Sequence, residues 1–192
     1  MILTAFALLT MSAHADPKGY GPLPAEGCPS VGGFYLDHFA PTAPFFRGGS
    51  VRDAGVPCLK ELGIAAVLDL RTDVEVSISK EPEQIVAAGI NYLRFPMSTD
   101  EVVASEECRA LGIKSTECNS LAVDRSVNKI KELLSFSKKI YIHCARGEDR
   151  TGLVIGMFRR RVQDWDRDRA RKEMRDFWYA PYPVLERIWE RD

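Results

Sequence analysis

The residue types and spacing best suited to chemistry occur in the segment HCARGEDRTG, which begins at His143. An apolar, strand-like run ends at Cys144, and Arg150 and Thr151 follow where an apolar pattern with helical spacing begins. A turn from a strand into a helix directs several backbone N–H groups into one concavity, and the helix N-terminus adds positive potential. This segment therefore predicts a site that binds an oxyanion such as phosphate.

The same environment would activate the cysteine. A thiol at Cys144 would have a lowered pKa and would be a thiolate near neutral pH. Arg150 can direct two N–H donors at phosphate oxygens, and Gly147 permits a backbone conformation that a Cβ atom would hinder. A thiolate beneath a bound phosphoryl group is aligned for in-line attack. The alternative interpretation is a buried structural cysteine beside a chance arginine.

This segment resembles the signature loop of the cysteine-dependent phosphatases, the protein-tyrosine-phosphatase superfamily, in which His-Cys is followed by five residues, Arg and Thr. The resemblance implies a phosphocysteine intermediate on Cys144, phosphate binding by Arg150 and a Thr151 hydroxyl that stabilises the leaving thiolate. It also implies that His143 braces the loop and tunes Cys144. The substrate would contact the inner residues of the loop together with Arg150, and these are Ala145, Arg146, Gly147, Glu148 and Asp149. No metal or other cofactor is expected, because Arg150 and the backbone N–H groups replace a divalent ion.

Dephosphorylation must also protonate a leaving oxygen, and in this family an Asp on an upstream loop does so. The best match is Asp100, in the sequence FPMSTDEVV just after a predicted strand. Glu101, Asp73 and Asp149 are the alternatives. After donating its proton, the same carboxylate could activate water against the phosphocysteine.

The elements that must position these residues follow an alternating pattern. The chain has 192 residues, of which 45% are hydrophobic, which suits one globular domain. The sequence predicts a short strand or turn in residues 45–51 and strands in 64–71, 90–97 and 140–142. It predicts helices in 56–63, 81–90 and 123–137, and two more in 164–192 that break at Pro181 and Pro183. This alternation indicates an α/β fold with a mostly parallel central sheet flanked by helices. The fold would resemble the compact dual-specificity phosphatases over most of residues 44–180.

The N-terminal segment differs in composition from the rest. Residues 2–11 are apolar and Ser12-Ala13-His14-Ala15 follows, which predicts a signal peptide in residues 1–15, cleaved after Ala15, and a periplasmic or secreted protein. Residues 16–43 are rich in Pro and Gly and should be irregular. The remaining 44–192 would form one phosphatase domain with an insertion near 101–120, which would either cover the site or form a short helix with a stapled loop. The apolar run is too short to span a bilayer, and a net charge of −1 gives no general attraction to nucleic acid or membranes.

The five cysteines permit disulfides if the protein is exported. With Cys144 set aside, Cys108 and Cys118 fall in one polar loop, which favours their pairing and leaves Cys28 with Cys58. Free thiols are the alternative. The spacing shows no CxxC and no His/Cys cluster, so a structural zinc site is not expected.

The substrate is the least constrained prediction. Export, together with scattered basic residues, favours inositol polyphosphates, and the chain resembles the bacterial phytases of this superfamily. The alternative is a protein tyrosine, dual-specificity or phosphoinositide phosphatase. Glu148 stands where many lipid-directed members carry Lys. A second phosphate could contact the cations Arg146, Lys114, Arg71 and Arg94. The partner would be a phosphorylated small molecule or a phosphoprotein, and the protein would be a monomer.

Three further interpretations concern other uses of these residues. A phosphate-binding module without catalysis would not need Cys144, Arg150 and Thr151 together. A thiol redox protein would need a second cysteine near Cys144, and Cys58 is the candidate. The run 159–161, three arginines, favours a solvated helix face over a site.

Overall fold

The computed structural model describes residues 40–42, 45–51 and 55–192. Its strands are β1 (Ala40–Thr42), β2 (Phe45–Gly48), β3 (Ile64–Asp69), β4 (Asn91–Arg94) and β5 (Lys139–His143). They form a sheet in the order β1-β2-β5-β3-β4, in which only β1 runs antiparallel to its neighbour. The predicted α/β fold with a mostly parallel sheet is confirmed.

The helices are α1 (Gly55–Glu61), α2 (Asp73–Ser77), α3 (Glu81–Ala87), α4 (Glu106–Ala110), α5 (Ser115–Ser135), α6 (Asp149–Gln163), α7 (Arg167–Asp176) and α8 (Pro183–Arg191). Successive residues of β3 point to opposite faces of the sheet, so Val67 joins a core with Leu59 and Ile85, whereas Leu68 joins a second core with Trp189. Both faces of the sheet are thus covered, which explains the continuous apolar runs of its central strands.

Two helices differ from the sequence-based prediction. The long helix α5 begins at Ser115, eight residues before the predicted start at 123. The added turns bury polar side chains, and Asn119 exchanges two hydrogen bonds with the backbone of Ser98. Because these buried residues are polar, the apolar periodicity did not indicate this part of the helix. The helix α2 was not predicted because none of its residues is buried. The two C-terminal helices are confirmed, and α8 begins at Pro183.

The prediction of a solvated arginine run is wrong for Arg159. This residue is buried on α6, donates two hydrogen bonds to Glu173 and stacks over the ring of Trp165. The buried face of α6 thus extends to Arg159, where the run of three arginines predicted a solvated surface. The neighbouring Arg160 and Arg161 both pair with Asp192.

The region 101–120 consists of α4 and the start of α5, joined by a disulfide. Cys108 and Cys118 are bonded, with 6.0 Å between their Cα atoms, as predicted. The other predicted pair involves Cys28, which lies outside the described residues, as do the predicted signal peptide and almost all of the segment 16–43. The prediction that this segment is irregular is wrong for residues 40–42, which form β1 because they pair with β2. Among the described residues, no helix is long and apolar enough to cross a membrane.

Candidate active site

The signature loop, residues 143–151, leaves the carboxyl end of β5 between two parallel neighbours. His143 is the residue of β5 in register with Gly48 of β2 and with Asp69 of β3. The loop lies directly on the end of β2, because a Cβ atom added to Gly147 would come within 2.3 Å of the Gly48 backbone. Gly147 also has a φ of +79°, which disfavours any other residue. Glycine is therefore required here for two independent reasons.

Cys144 lies at the base of this loop and is buried. Burial is the largest single influence on its thiol and would raise the pKa, but the positive charge of Arg150 and the donors of Thr151 and the Arg146 backbone together outweigh it. The net result is a lowered pKa. The Gly147 N–H also donates to Sγ over 3.3 Å. The surroundings of Cys144 therefore stabilise a thiolate.

Arg150, at the start of α6, is buried and oriented by a residue that the sequence analysis missed. Its Nη1 and Nη2 donate to the two carboxylate oxygens of Glu75 over 2.6 and 2.9 Å, and Nη1 also donates to the Met97 carbonyl oxygen. Burial would lower the pKa of the Arg150 guanidinium, but Glu75 and Cys144 raise it. Its buried Nε atom has no hydrogen-bond partner among the described residues. That N–H remains available to an oxyanion.

Glu75 is itself fixed by the start of α2. Its carboxylate accepts hydrogen bonds from both the backbone N–H and the hydroxyl of Thr72, which caps the helix. Burial alone would raise the pKa of Glu75, but Arg150 and Thr72 hold it at about 2. The capping-box pattern Thr72-x-x-Glu75 was visible in the sequence, and it would have indicated α2 but not its contact with Arg150.

His143 braces the loop from below. It is fully buried, and its Nδ1 atom lies 3.1 Å from the Cys144 carbonyl oxygen. Its Nε2 atom lies 3.3 Å from a carboxylate oxygen of Glu81 and 3.8 Å from one of Asp69. Two carboxylates thus lie close to Nε2, which has no hydrogen-bond partner among the described residues, and the polar contact from the ring to the loop is the one at Nδ1.

The same two carboxylates hold Arg71. Its guanidinium lies 2.6 Å from Asp69 and 2.8 Å from Glu81, and the three side chains are buried. Tyr92 donates a hydrogen bond to Asp69 as well. Arg71 is therefore part of the support beneath the loop. The prediction that Arg71 could contact a second phosphate is wrong, because its side chain is buried between Asp69 and Glu81.

Arg47 is a second supporting residue that the sequence analysis missed. It is completely buried on β2 and its Nη2 donates to the Gly147 carbonyl oxygen over 2.8 Å, while its guanidinium carbon lies 4.2 Å from the centre of the Phe177 ring. Burial lowers the pKa of Arg47 to about 10, so the side chain stays cationic at neutral pH. A charged residue inside the apolar sequence FFRGG was the only available signal.

Asp100, the predicted general acid, is exposed at the end of the segment after β4. Its carboxylate accepts hydrogen bonds from the Ser98 hydroxyl over 2.6 Å and from the Val102 N–H over 2.9 Å. The bond from Ser98 is the main reason that the pKa of Asp100 is lowered, and the positive charge of Arg150 contributes in the same direction. Asp100 therefore lies within electrostatic reach of the signature arginine.

The three alternative acids are engaged elsewhere. Asp149 is buried and accepts a hydrogen bond from the Ala180 N–H over 2.8 Å. Asp73 pairs with Arg94. Glu101 pairs with an arginine of α8. Within the described part of the chain, the hydrogen bonds to the Asp100 carboxylate come from its own loop, so Asp100 is the candidate that no distant segment engages.

The remaining loop residues have distinct positions. The Ala145 carbonyl oxygen accepts from the Ser50 N–H over 3.1 Å, and Thr151 is fully buried. Arg146 is exposed and pairs with Glu148 over 3.0 Å. Among the described residues, no group of His, Cys, Asp and Glu side chains could hold a metal ion.

A model of the tyrosine phosphatase family matches residues 42–169, two thirds of the sequence. The chain belongs to this family. The prediction of a cysteine-dependent phosphatase of this superfamily is thereby confirmed, whereas the closer likeness to phytases stays a prediction. A comparison with curated proteins found no match.

Solved structures of the family share the fold of this chain. Tk-PTP in its active form is 15% identical, with a TM-score of 0.61, and the match covers 78% of this chain and 91% of that one. TpbA of P. aeruginosa is 18% identical, with a TM-score of 0.57 and coverages of 81% and 85%. A human tyrosine phosphatase-like serine/threonine/tyrosine-interacting protein is 14% identical, with a TM-score of 0.60 and coverages of 78% and 91%.

Proposed function

We propose that this protein is a metal-independent phosphomonoester hydrolase that works through a phosphocysteine. The observation that carries the proposal is the geometry of the signature loop: the Gly147 N–H donates to Sγ of the buried Cys144, and Glu75 holds the Arg150 guanidinium while its Nε atom has no partner among the described residues. The Cys144 thiolate attacks phosphorus while the bond to the leaving oxygen breaks, and Asp100 protonates that oxygen. Water, deprotonated by Asp100, then attacks the phosphocysteine and releases phosphate, while the Thr151 hydroxyl stabilises the departing thiolate.

The two reacting groups predict the pH dependence of the reaction. The first step needs Cys144 as a thiolate and Asp100 as a neutral acid. The pKa of each group is lowered in the ligand-free protein, so both limbs of the pH profile move toward acid. We expect kcat/KM to be highest below neutral pH, with the alkaline limb lost in Asp100→Asn.

We infer that aryl phosphates such as phosphotyrosine are the preferred substrate class. A Cys-to-Ser variant of TpbA, 19% identical to this chain, has been solved in complex with pTyr. A polyphosphate would need several available cations. Of the four that the sequence suggested, Arg71 is buried in the support of the loop, and Arg94 pairs with Asp73.

Inositol polyphosphates are the second candidate class. Arg146 projects from the signature loop with 60% of its side chain exposed, and Lys114 is exposed where α5 begins. Either cation could contact a second phosphate on the same substrate. Arg146 would have to break its salt bridge with Glu148 to do so.

The test compares phosphate release from a phosphotyrosine peptide and from inositol hexakisphosphate, each with and without EDTA. Release from the peptide that persists in EDTA and disappears in Cys144→Ser supports the proposal. Release from the inositol phosphate alone, reduced in Arg146→Ala, would assign the second class. Activity that persists in Cys144→Ser, or that EDTA abolishes, would contradict a metal-independent cysteine mechanism.

We further propose that the enzyme is a monomer exported to the periplasm or beyond the cell after cleavage following Ala15. The disulfide between Cys108 and Cys118 supports export, because such bonds persist in oxidising compartments. N-terminal sequencing of the protein recovered from outside the cytoplasm tests the cleavage site, and Asp16 is the expected first residue.

A further inference from the structure

The end of α5 carries a large apolar side chain in an exposed position. Phe136 is the residue that closes this helix, and 67% of it is accessible to solvent. Single apolar residues on a protein surface are common and do not by themselves indicate a binding site. The backbone and the charges around Phe136 give this position its meaning.

The backbone holds Phe136 in a defined turn. The Ser137 N–H donates to the Leu134 carbonyl oxygen over 3.0 Å. The Lys138 N–H donates to the Leu133 carbonyl oxygen over 3.1 Å. Ser137 has a φ of +54°, the left-handed conformation in which helices commonly end. Phe136 therefore projects from a hydrogen-bonded turn at the surface of the protein.

Lysines surround this turn. Residues 129–139 contain four lysines and a single carboxylate, Glu132, although the whole chain has a net charge of −1. The Lys139 Nζ atom donates to the Leu62 carbonyl oxygen over 3.1 Å, which brings the end of α1, with Lys60 in its last turn, next to the end of α5. We call this group the lysine surface, and it consists of Lys60, Lys129, Lys131, Phe136, Lys138 and Lys139.

Most of these positive charges have no counter-charge in the described part of the chain. Lys129 pairs with Glu132 over 2.6 Å. Lys60, Lys131 and Lys138 are exposed and form no salt bridge with a carboxylate among the described residues. The lysine surface therefore presents a local excess of positive charge around an exposed aromatic ring.

The lysine surface and the candidate active site lie at opposite edges of the sheet. The strand β5 begins at Lys139 and ends at His143, where the signature loop leaves it. Its neighbours β2 and β3 run parallel to it, so the amino ends of these strands lie on the side of the lysine surface. A partner that binds there would leave the active site open to solvent.

We propose that the lysine surface binds a lipid bilayer that contains anionic headgroups. The Phe136 ring would enter the boundary between headgroups and acyl chains, while the lysines would contact the negative phosphates. Nucleic acid fits this surface less well, because proteins usually follow a nucleic-acid strand with a positively charged groove, and Phe136 lies on a projecting turn. The bound enzyme would act on soluble substrates, a consequence that rests on the proposed function, whereas the binding itself does not.

Cosedimentation with lipid vesicles tests the binding. Vesicles of phosphatidylcholine are compared with vesicles in which about a third of the lipid is anionic phosphatidylglycerol. The full chain should bind the anionic vesicles alone, and added salt should weaken this binding. Lys131→Gln/Lys138→Gln should weaken it about twentyfold, because each lysine near an anionic surface contributes about fivefold. Phe136→Ser should weaken it about tenfold.

Matched control variants lie outside the lysine surface. Leu111→Ser removes an apolar side chain as exposed as Phe136, and Lys80→Gln/Lys172→Gln removes two exposed lysines. Both controls should bind the vesicles as the wild type does. Equal weakening in the controls, or binding to neutral vesicles that no substitution changes, would overturn the proposal. Binding through the apolar residues 2–11 alone would give the second result.

A labelled single-stranded oligonucleotide tests the other class of anionic partner. The full chain should bind it more weakly than it binds the anionic vesicles. Tighter binding to the oligonucleotide, lost in Lys131→Gln/Lys138→Gln, would assign the lysine surface to nucleic acid and overturn the lipid proposal. Because the substituted side chains are exposed, every variant should keep the wild-type melting temperature. If Phe136→Ser does not fold, the double lysine variant decides the outcome.

The orientation of the bound enzyme gives a separate readout. Hydrolysis of p-nitrophenyl phosphate should proceed at the same rate with and without anionic vesicles, since the active site faces away from the bilayer. Inhibition by the vesicles would contradict this placement of the lysine surface. If the wild type hydrolyses no phosphate ester, the proposed function fails, and the vesicle measurements still decide whether the lysine surface binds lipid.

Discussion

At the scale of single residues, the site is defined by a cysteine and by the cations that surround it. Arg150 lies at the start of α6 and its buried Nε atom has no partner among the described residues, whereas Arg47 lies beneath the loop and donates to the Gly147 carbonyl oxygen. The positive charge of Arg47 also interacts favourably with a Cys144 thiolate. Arg47 thus contributes both a hydrogen bond and a charge from a position that substrate does not reach.

Replacement of Arg47 should therefore change the reactivity of Cys144. In Arg47→Met we expect a higher thiol pKa and an activity loss of about tenfold to a hundredfold, since a lost buried charge-assisted hydrogen bond costs about 1.5–3 kcal/mol. The rate of Cys144 alkylation by iodoacetamide as a function of pH measures the thiol pKa. Arg47→Lys keeps the charge and should show a smaller shift; equal shifts in both variants would exclude the charge effect.

The close contact between Gly147 and Gly48 gives a second prediction at this scale. Gly147→Ala should destabilise the protein and abolish activity, because its Cβ atom would lie 2.3 Å from the Gly48 backbone. Gly89→Ala is the matched control, since Gly89 has a φ of +78° and no atom within 4 Å of the added Cβ. That control should lose only about 1–2 kcal/mol, the cost of the left-handed conformation. Equal losses in thermal unfolding would show that the contact is unimportant.

At the scale of secondary-structure elements, the region 101–120 is a support for the Asp100 loop. Of the two predictions for this region, an insertion over the site or a short helix with a stapled loop, the structure confirms the second. The first turns of α5 carry the anchors of the Asp100 loop, residues 98–105, and the Cys108–Cys118 disulfide joins α5 to α4, which follows that loop. The disulfide therefore stabilises the helix that anchors the loop carrying Asp100, the candidate acid.

Removal of this disulfide should affect both stability and proton donation. The double variant Cys108→Ser/Cys118→Ser should lose about 2–4 kcal/mol of unfolding free energy, as is typical of such crosslinks. We expect its kcat to fall more for phenyl phosphate than for p-nitrophenyl phosphate, because phenyl phosphate has the poorer leaving group and depends more on proton donation. A stability loss with no change in the ratio of the two rates would show that the disulfide is structural only. Chemical reduction is less specific, because Cys58 is also disulfide-bonded.

The elements that have a clear apolar periodicity could be predicted from the sequence, and those that polar contacts hold in place could not. The strands β2 to β5 and the helices α1, α3 and α6 followed from apolar runs, and the signature loop followed from the spacing of Cys144 and Arg150. The short strand β1 did not, because it lies in a segment rich in Pro and Gly. The helix α2 and the early start of α5 did not, since polar contacts position them. Glu75 and Arg47 were missed for the same reason: a salt bridge or a buried cation between distant segments leaves no local pattern in a single sequence.

At the scale of the whole molecule, the candidate site lies at the carboxyl edge of the central parallel strands. The ends of β2, β5 and β3 are in register there, so Gly48, His143 and Asp69 lie side by side. Beneath the signature loop this edge carries a buried group of charges, Arg71, Asp69 and Glu81 around the imidazole. The stability of the whole fold should consequently depend on pH.

Glu75 provides the clearest pH-dependent contribution to stability. Its pKa falls from the ordinary value of 4.5 to about 2 in the folded protein, so its contribution is present above about pH 4.5 and is lost as pH falls toward 2. The melting temperature of the wild type should therefore fall more steeply than that of Glu75→Gln between these values. Parallel curves would show that Glu75 does not stabilise the fold through its charge.

The most direct test of the account is detection of the covalent intermediate. The enzyme is mixed with p-nitrophenyl phosphate, quenched in acid within milliseconds, digested and examined by mass spectrometry. The account predicts a phosphoryl group on the peptide that contains Cys144, with a higher occupancy in Asp100→Asn, where hydrolysis of the intermediate is slowed. Turnover by the wild type with no phosphoryl group on Cys144 in either protein, or with one on another residue, would contradict it.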